Sequence, residues 1–113
     1  MKRDMRKSPV VHINKRLILF SNPKTSESIV NAIAKEINPL KFLALPVYRM
    51  KHGYLLTDGN HRAKAAIKAG YTHIPCVLLT KEEFDYVKFS KRTAELLVNV
   101  PEIPIIINSM DQP

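Results

Sequence analysis

The reading of the fold turns on Tyr54-Leu55-Leu56-Thr57-Asp58-Gly59-Asn60-His61-Arg62-Ala63-Lys64-Ala65-Ala66. A β-type run from Tyr54 to Thr57 enters the turn Asp58-Gly59 and leaves it as an Ala-rich stretch. Ala63, Ala66 and Ile67 mark one face of a helix there, and Gly70 stands where a left-handed C′ residue closes it. This predicts a short helix over residues 61–69. On the upstream side, Val47 to Met50 can pair with Tyr54 to Thr57 across the polar turn Lys51-His52-Gly53, which predicts a β-hairpin.

Downstream, Ile74-Pro75-Cys76-Val77-Leu78-Leu79 reads as a buried strand, with Pro75 tolerable only near its beginning or on an edge. Thr80-Lys81-Glu82-Glu83 has the capping-box pattern, and Phe84, Val87, Ala94 and Leu97 supply an apolar stripe, so a third helix is expected to reach about Asn99. Nearer the N-terminus, Val10 to Ile13 and Leu17 to Phe20 are short β-type runs separated by Asn14-Lys15-Arg16. Ser21-Asn22-Pro23 closes that segment with turn-forming residues. Ile29, Ile33, Ile37 and Leu40 then recur at helical spacing, with Thr25 or Ser26 as cap and Glu27 placed to suit the helix dipole, as far as Asn38-Pro39.

These elements define an α/β (α+β) domain with a small mixed sheet and about three helices, expected over residues 10–99. Residues 1–9 carry Lys2, Arg3, Arg6 and Lys7 with almost nothing to bury, and read as a basic flexible arm. Residues 100–113 form a Pro/Ile-rich tail. Its three prolines exclude a helix, while Ile105-Ile106-Ile107 suits an extra strand or a docking contact.

With 113 residues, 45% of them hydrophobic and 25% charged, the chain is sized for one folded core. Lys and Arg number 18 against 10 Asp and Glu, a formal charge of +8 that attracts phosphates, nucleic acid or acidic proteins. Cys76 is the only cysteine, which excludes an intramolecular disulfide and a thiol-based zinc cluster and fits a reducing compartment. The basic start is not followed by an apolar signal-peptide region of about 7–15 residues, and no run approaches the ~18 apolar residues of a membrane span. A cytoplasmic location with no membrane partner is expected.

The chemistry converges on Asp58 to Arg62. A strand that turns through Asp58-Gly59 into a helix leaves the first backbone N–H groups of that helix without internal partners. Gly59 permits close approach, the helix dipole favours negative charge, and the Arg62 guanidinium matches phosphate or carboxylate oxygens. The ligand so described is an anion. Asn60 can donate or accept through its amide, and His61 can add a donor or change its charge near neutral pH. Asp58 has three compatible roles: holding Mg²⁺ beside a phosphate, accepting a hydroxyl proton, or capping the helix. Elsewhere, His12, His52 and His73 lack metal-ligand spacing. Cys76 reads as an inert buried thiol, and Tyr48, Tyr54 and Tyr71 as packing residues.

Taken together, Glu27-Ser28-Ile29, Leu45-Pro46-Val47, the stretch Tyr54 to Ala66, Ala69-Gly70 and Ile74-Pro75-Cys76-Val77 resemble the ParB N-terminal and sulfiredoxin-like superfamily over roughly residues 10–90. The resemblance implies that fold. It also implies that Gly59, Asn60, His61 and Arg62 bind nucleotide phosphates, as the Gly-x-x-Arg turn does with CTP in chromosome-partition proteins, with ATP in sulfiredoxins and with ATP or ADP in free-serine kinases. Asp58 matches the acid of the serine-kinase-like Asp-Gly-His-His-Arg pattern; Asp58 and His61 are the candidate catalytic residues, and Asp58 the candidate Mg²⁺ ligand. The departures are specific. Asn60 replaces the catalytic Cys that sulfiredoxins place after the Gly, which argues against reductase activity. Asn60 also replaces the Glu common in partition proteins, whose helix-turn-helix domain has no counterpart in these residues. The acid that serine kinases carry after the first strand is missing from Ser21-Asn22-Pro23-Lys24, leaving Glu27 as the nearest.

Three functional readings follow. The first is a nucleotide-binding domain for ATP, CTP or another nucleotide, acting as a Mg²⁺-dependent phosphotransferase or a nucleotide hydrolase. The second is a non-enzymatic DNA-binding or partition-accessory module using the basic arm. The third is an interaction domain, including a homo-oligomer, using Ile103 to Ile107.

Overall fold

The computed structural model describes residues 2–88, 90 and 93–105. The chain order is β1 (Arg3–Asp4), β2 (Val10–Asn14), a single 3-10 turn (Lys15–Leu17), β3 (Ile18–Leu19), α1 (Glu27–Glu36), β4 (Phe42–Leu43) and β5 (Leu45–Met50). It continues with β6 (Gly53–Leu56), α2 (Asn60–Lys68), β7 (His73–Leu78), α3 (Lys81–Val87), α4 (Thr93–Leu96), β8 (Leu97–Val98) and β9 (Glu102–Ile103). The hairpin forms as expected, with Met50 opposite Gly53 and Val47 opposite Leu56. β5 and β6 belong to a mixed five-stranded sheet ordered β2-β7-β5-β6-β3, in which β5–β6 and β2–β7 are antiparallel and β5–β7 and β3–β6 parallel.

Alternation along β7 explains why its run is apolar throughout. Ile74 and Cys76 pack with Leu45, Val47, Leu56 and the α2 residues Ala63 and Ala66. Val77, pointing the other way, packs with Met5, Ala44, Val87 and Leu97. A strand buried on both faces cannot alternate polar and apolar residues. Pro75 sits inside this strand rather than on an edge. It precedes the first β5–β7 pair, Leu45 with Cys76, so its missing N–H removes no bond from that ladder.

Helix boundaries follow local chemistry. The Ser26 side chain caps α1 by accepting from the Ile29 N–H at 3.5 Å. The helix stops at Glu36, and Leu40, expected on its stripe, is 72% exposed beyond Asn38-Pro39. In the capping box of α3, Thr80 Oγ1 accepts from the Glu83 N–H at 3.1 Å and Glu83 Oε1 accepts from the Thr80 N–H at 2.9 Å. Gly70 takes the left-handed conformation after α2, with φ of 99°.

Three expectations are corrected. The third helix ends at Val87, and a separate α4 leads into β8. The apolar stripe is empty at Ser90 and Lys91, three and four residues beyond Val87, so nothing there favours continuing the helix. The stretch 1–9 is not a free arm over its described residues. Arg3–Asp4 pairs in parallel with Leu97–Val98, and Met5 is fully buried between the sheet and α3, supplying an apolar anchor that the surrounding charges obscure. In the tail, the strand is Glu102–Ile103 against Phe42–Leu43, and Ile105 is buried with its N–H donated to Pro39 O at 2.8 Å. Ile106 and Ile107 lie outside the described residues.

Candidate functional site

α2 starts on Gly59, whose φ of 84° and ψ of 28° are left-handed. A Cβ at this position would come within 2.7 Å of Leu45 Cδ2 and 3.3 Å of Arg62 Nη2, so both backbone conformation and space select glycine. Asp58 folds back to accept the Gly59 N–H on Oδ1 at 2.8 Å. No side chain caps α2 itself, and Ala63 donates to Gly59 O at 2.9 Å. The amides of Asn60, His61 and Arg62 therefore precede the helical ladder, at the positive end of the helix dipole.

Arg62 does not point out to solvent. Its Nη1 donates to Leu43 O at 2.8 Å, and its guanidinium lies 5.8 Å from the Phe42 ring centre. Burial pushes its pKa down while the Asp58 carboxylate pushes it back up. The half-buried cation borders a cavity of about 350 Å³, lined also by Asp58, Leu43, Pro46, Thr93 and Asn99. Residues 93–100 thus help to form the cavity, a role hidden from sequence reasoning that ran one helix through them. Arg62 also borders a second hollow of about 370 Å³ with Ile33, Ile37 and Phe42.

Asn60 and His61, expected to reach a ligand with their side chains, hold a loop instead. Asn60 donates from Nδ2 to Ser21 Oγ at 3.1 Å and accepts the Asn22 N–H on Oδ1 at 3.2 Å. His61 Nε2 accepts the Ser26 N–H at 3.2 Å, which leaves Nδ1 as its remaining polar atom. Lys64, one turn on, donates to Pro23 O at 2.6 Å and lies over the Phe20 ring. The loop from Ser21 to Ser26 is thereby fastened along α2, and the N-terminus of α1 is brought beside that of α2. The sequence signal for this was the polar set 60, 61 and 64 on an otherwise Ala-rich helix. Such a set fits solvent as well as a loop.

Asp58 stands as the single carboxylate of the turn, and among the described residues no cluster of three or more His, Cys, Asp or Glu could hold a metal ion. Glu27 is exposed at the first turn of α1, 4.0 Å from Lys68 Nζ. Cys76 is fully buried, and burial pushes its thiol up to about 12. Tyr48 stacks on Phe84 with ring centres 4.2 Å apart, Tyr54 and Tyr71 pack against the main core, and His12 and His73 lie in β2 and β7.

The sheet order, the hairpin leading into the glycine turn and the helix that follows it define a ParB/sulfiredoxin-like fold. No protein-family model matches the chain, and no curated protein matches it. Among solved structures it is similar to a free serine kinase in complex with AMP, with a TM-score of 0.61 and 20% identity over 80% of this chain and 36% of the kinase. It is similar to the C-terminally truncated chromosome-partitioning protein ParB from Caulobacter crescentus complexed with CTP-γ-S, with a TM-score of 0.54 and 14% identity over 74% of this chain and 55% of that one. Sulfiredoxin from Arabidopsis thaliana matches with a TM-score of 0.53 and 18% identity over 69% of this chain and 94% of its own. The chain thus spans little more than a third of the kinase and about half of that ParB chain. No helix among the described residues is long and apolar enough to cross a membrane.

Proposed function

We propose that this domain binds a nucleotide through its phosphates at the turn from Asp58 to Arg62. The observation that carries the reading is the uncapped start of α2 at left-handed Gly59, with the Arg62 cation beside it at the edge of a cavity of about 350 Å³. Preorganised amides and a half-buried guanidinium stabilise an anion without reorganising. The cavity volume falls within the usual range for small-molecule sites. The free serine kinase and ParB structures, solved with AMP and CTP-γ-S, support a nucleotide as the ligand class.

In this reading the backbone amides of Asn60, His61 and Arg62 and the Arg62 guanidinium contact phosphate oxygens. The Asn60 and His61 side chains keep the Ser21–Ser26 loop in place, with His61 Nδ1 left to donate. One carboxylate is too few for a protein-only cation site, yet Mg²⁺ commonly takes one or two carboxylates plus phosphate oxygens and water. Asp58 fits that donor set through Oδ2, since Oδ1 is engaged by Gly59. Such a cation would neutralise phosphate charge. Transfer to an acceptor or to water would use Asp58 to take up the hydroxyl proton, because the His61 Nε2 lone pair is engaged by the Ser26 N–H and its Nδ1 carries hydrogen. Reductase chemistry is disfavoured by Asn60 at the position after the glycine and by the buried, protonated Cys76.

The test is a thermal-shift series with ATP, ADP, AMP and CTP, with and without Mg²⁺, on wild type and Arg62→Lys. Each protein is compared with its own ligand-free baseline, because Arg62 also supports Leu43. A nucleotide at a hundredfold excess over Kd stabilises the native state by about 2.7 kcal/mol. The expected result is a response from at least one nucleotide that shrinks in Arg62→Lys. Equal responses in the two proteins, or none in either, would sink the reading.

A further inference from the structure

None of the ten carboxylates in the chain lies in residues 5–26, 37–57 or 59–81, and those segments contain all five strands of the central sheet. The cations they carry are unevenly engaged. Within them Arg6 pairs with Asp4 and Lys81 with Asp85, while Arg62 and Lys64 donate to backbone carbonyls; outside them Arg3 pairs with Glu82 and Lys88 with Asp85. Among the described residues of these segments Lys7, Lys24 and Lys41 form no ion pair, and neither do Lys15, Arg16, Arg49 and Lys51.

The topology gathers the last four at one end of the sheet. Ile18 pairs with Tyr54, and Tyr54 with Arg49; one row farther out, Gly53 pairs with Met50. Leu17 O lies 2.5 Å from where a Gly53 Cβ would stand, which seats the Lys15–Leu17 turn against the hairpin tip. Three adjacent strands span roughly 10 Å. Arg16, Arg49, Lys51 and His52 are exposed, flanked by Leu17 and Met50, which are 39% and 42% exposed.

We propose that the β5–β6 tip, with the adjoining Lys15–Leu17 turn, is a docking surface for duplex DNA in which Lys15, Arg16, Arg49 and Lys51 contact backbone phosphates. A two-stranded ribbon with a two-residue turn is narrow enough for a groove about 12 Å wide, and cations on both flanks can reach the phosphates that border it. Two half-exposed aliphatic side chains are too little apolar surface to hold the domain on a membrane. The surface is distinct from the nucleotide seat, because β6 separates them by about 13 Å at the rise of an extended strand. It also differs from the N-terminal stretch, where Arg3 and Arg6 are paired with acids.

The test is fluorescence anisotropy with a 20-base-pair duplex of arbitrary sequence across a salt series. Wild type is compared with the triple variant Arg16→Gln, Arg49→Gln, Lys51→Gln and with a charge-matched control, Lys2→Gln, Lys7→Gln, Lys35→Gln. Four phosphate contacts predict an affinity loss of about 100-fold between 50 and 200 mM salt. The tip variant is expected to flatten the log–log salt slope by about three, with the control close to wild type. Circular dichroism and the nucleotide thermal shift, both expected to be unchanged in the tip variant, separate loss of the surface from loss of fold or of the nucleotide site. If the tip variant melts early, single Arg49→Gln and Lys51→Gln variants, each expected to lower the slope by about one, replace it. Equal weakening of both triples, no duplex binding at low salt, or preference for single strands, RNA or anionic vesicles over the duplex overturns the proposal.

Discussion

At the scale of single residues, Gly59 and Cys76 show how a backbone angle and a burial state constrain chemistry. Gly59→Ala places a methyl group 2.7 Å from Leu45 Cδ2 on a backbone with φ of 84°. It is expected to destabilise the domain by about 1–3 kcal/mol, read from urea unfolding, and to weaken nucleotide response by tilting α2. A change smaller than a few tenths would mean that Leu45 yields freely. Cys76 behaves differently. Burial raises its thiol from 9.0 to about 12, so the unfolded chain loses this proton near pH 9 while the folded chain keeps it. Its contribution is intact below pH 9 and declines as pH rises from 9 towards 12. Comparing urea midpoints of wild type and Cys76→Ala at pH 7.5 and pH 10 isolates it: the gap between them should shift towards the variant at the higher pH.

At the scale of elements, the hairpin, the start of α2 and the opening of α3 were all legible because their determinants lie within four residues of one another. Thr80→Ala removes one half of the α3 capping box and should cost about 1 kcal/mol. Thr80→Ser keeps the hydroxyl and should stay near wild type; parity between the two variants in thermal melts would show that the cap contributes nothing here. The end of α3 was not legible, since Ala94 and Leu97 fit a helical stripe and equally fit what they form, a second short helix and a strand. Asn60 and His61 stand out in the sequence as polar residues of the turn, and in the fold their side chains hold a loop. Their side chains suit an anion and suit a loop. The choice lay with Ser21, Asn22 and Ser26, 35 to 39 positions away.

For the whole molecule, the N-terminal stretch carries the largest departure from what the sequence suggested. Met5 is fully buried and its N–H is donated to Val98 O at 2.8 Å, so residues 3–5 help hold β8 and the wall of the cavity near Arg62. Met5→Ala is expected to cost about 2–5 kcal/mol, as for other large-to-small changes in a core, where a solvated arm would tolerate it within about 0.5 kcal/mol. Because β8 adjoins the cavity, the variant should also reduce the nucleotide-induced thermal shift, a readout that a stability change elsewhere would leave alone.

What the amino-acid order determined by itself is local: the Asp58-Gly59 turn, the uncapped helix after it, and the two-faced apolar strand Ile74 to Leu79. Those follow from backbone sterics and periodicity, which act over a few bonds. Tertiary structure alone decided that Asn60 and His61 spend their side chains on a loop, that Met5 turns a charged end into core, and that residues 93–100 close a cavity against Arg62. Each of these depends on partners distant along the chain, and a side chain able to satisfy several partners is committed only when folding brings one of them within hydrogen-bond or van der Waals reach.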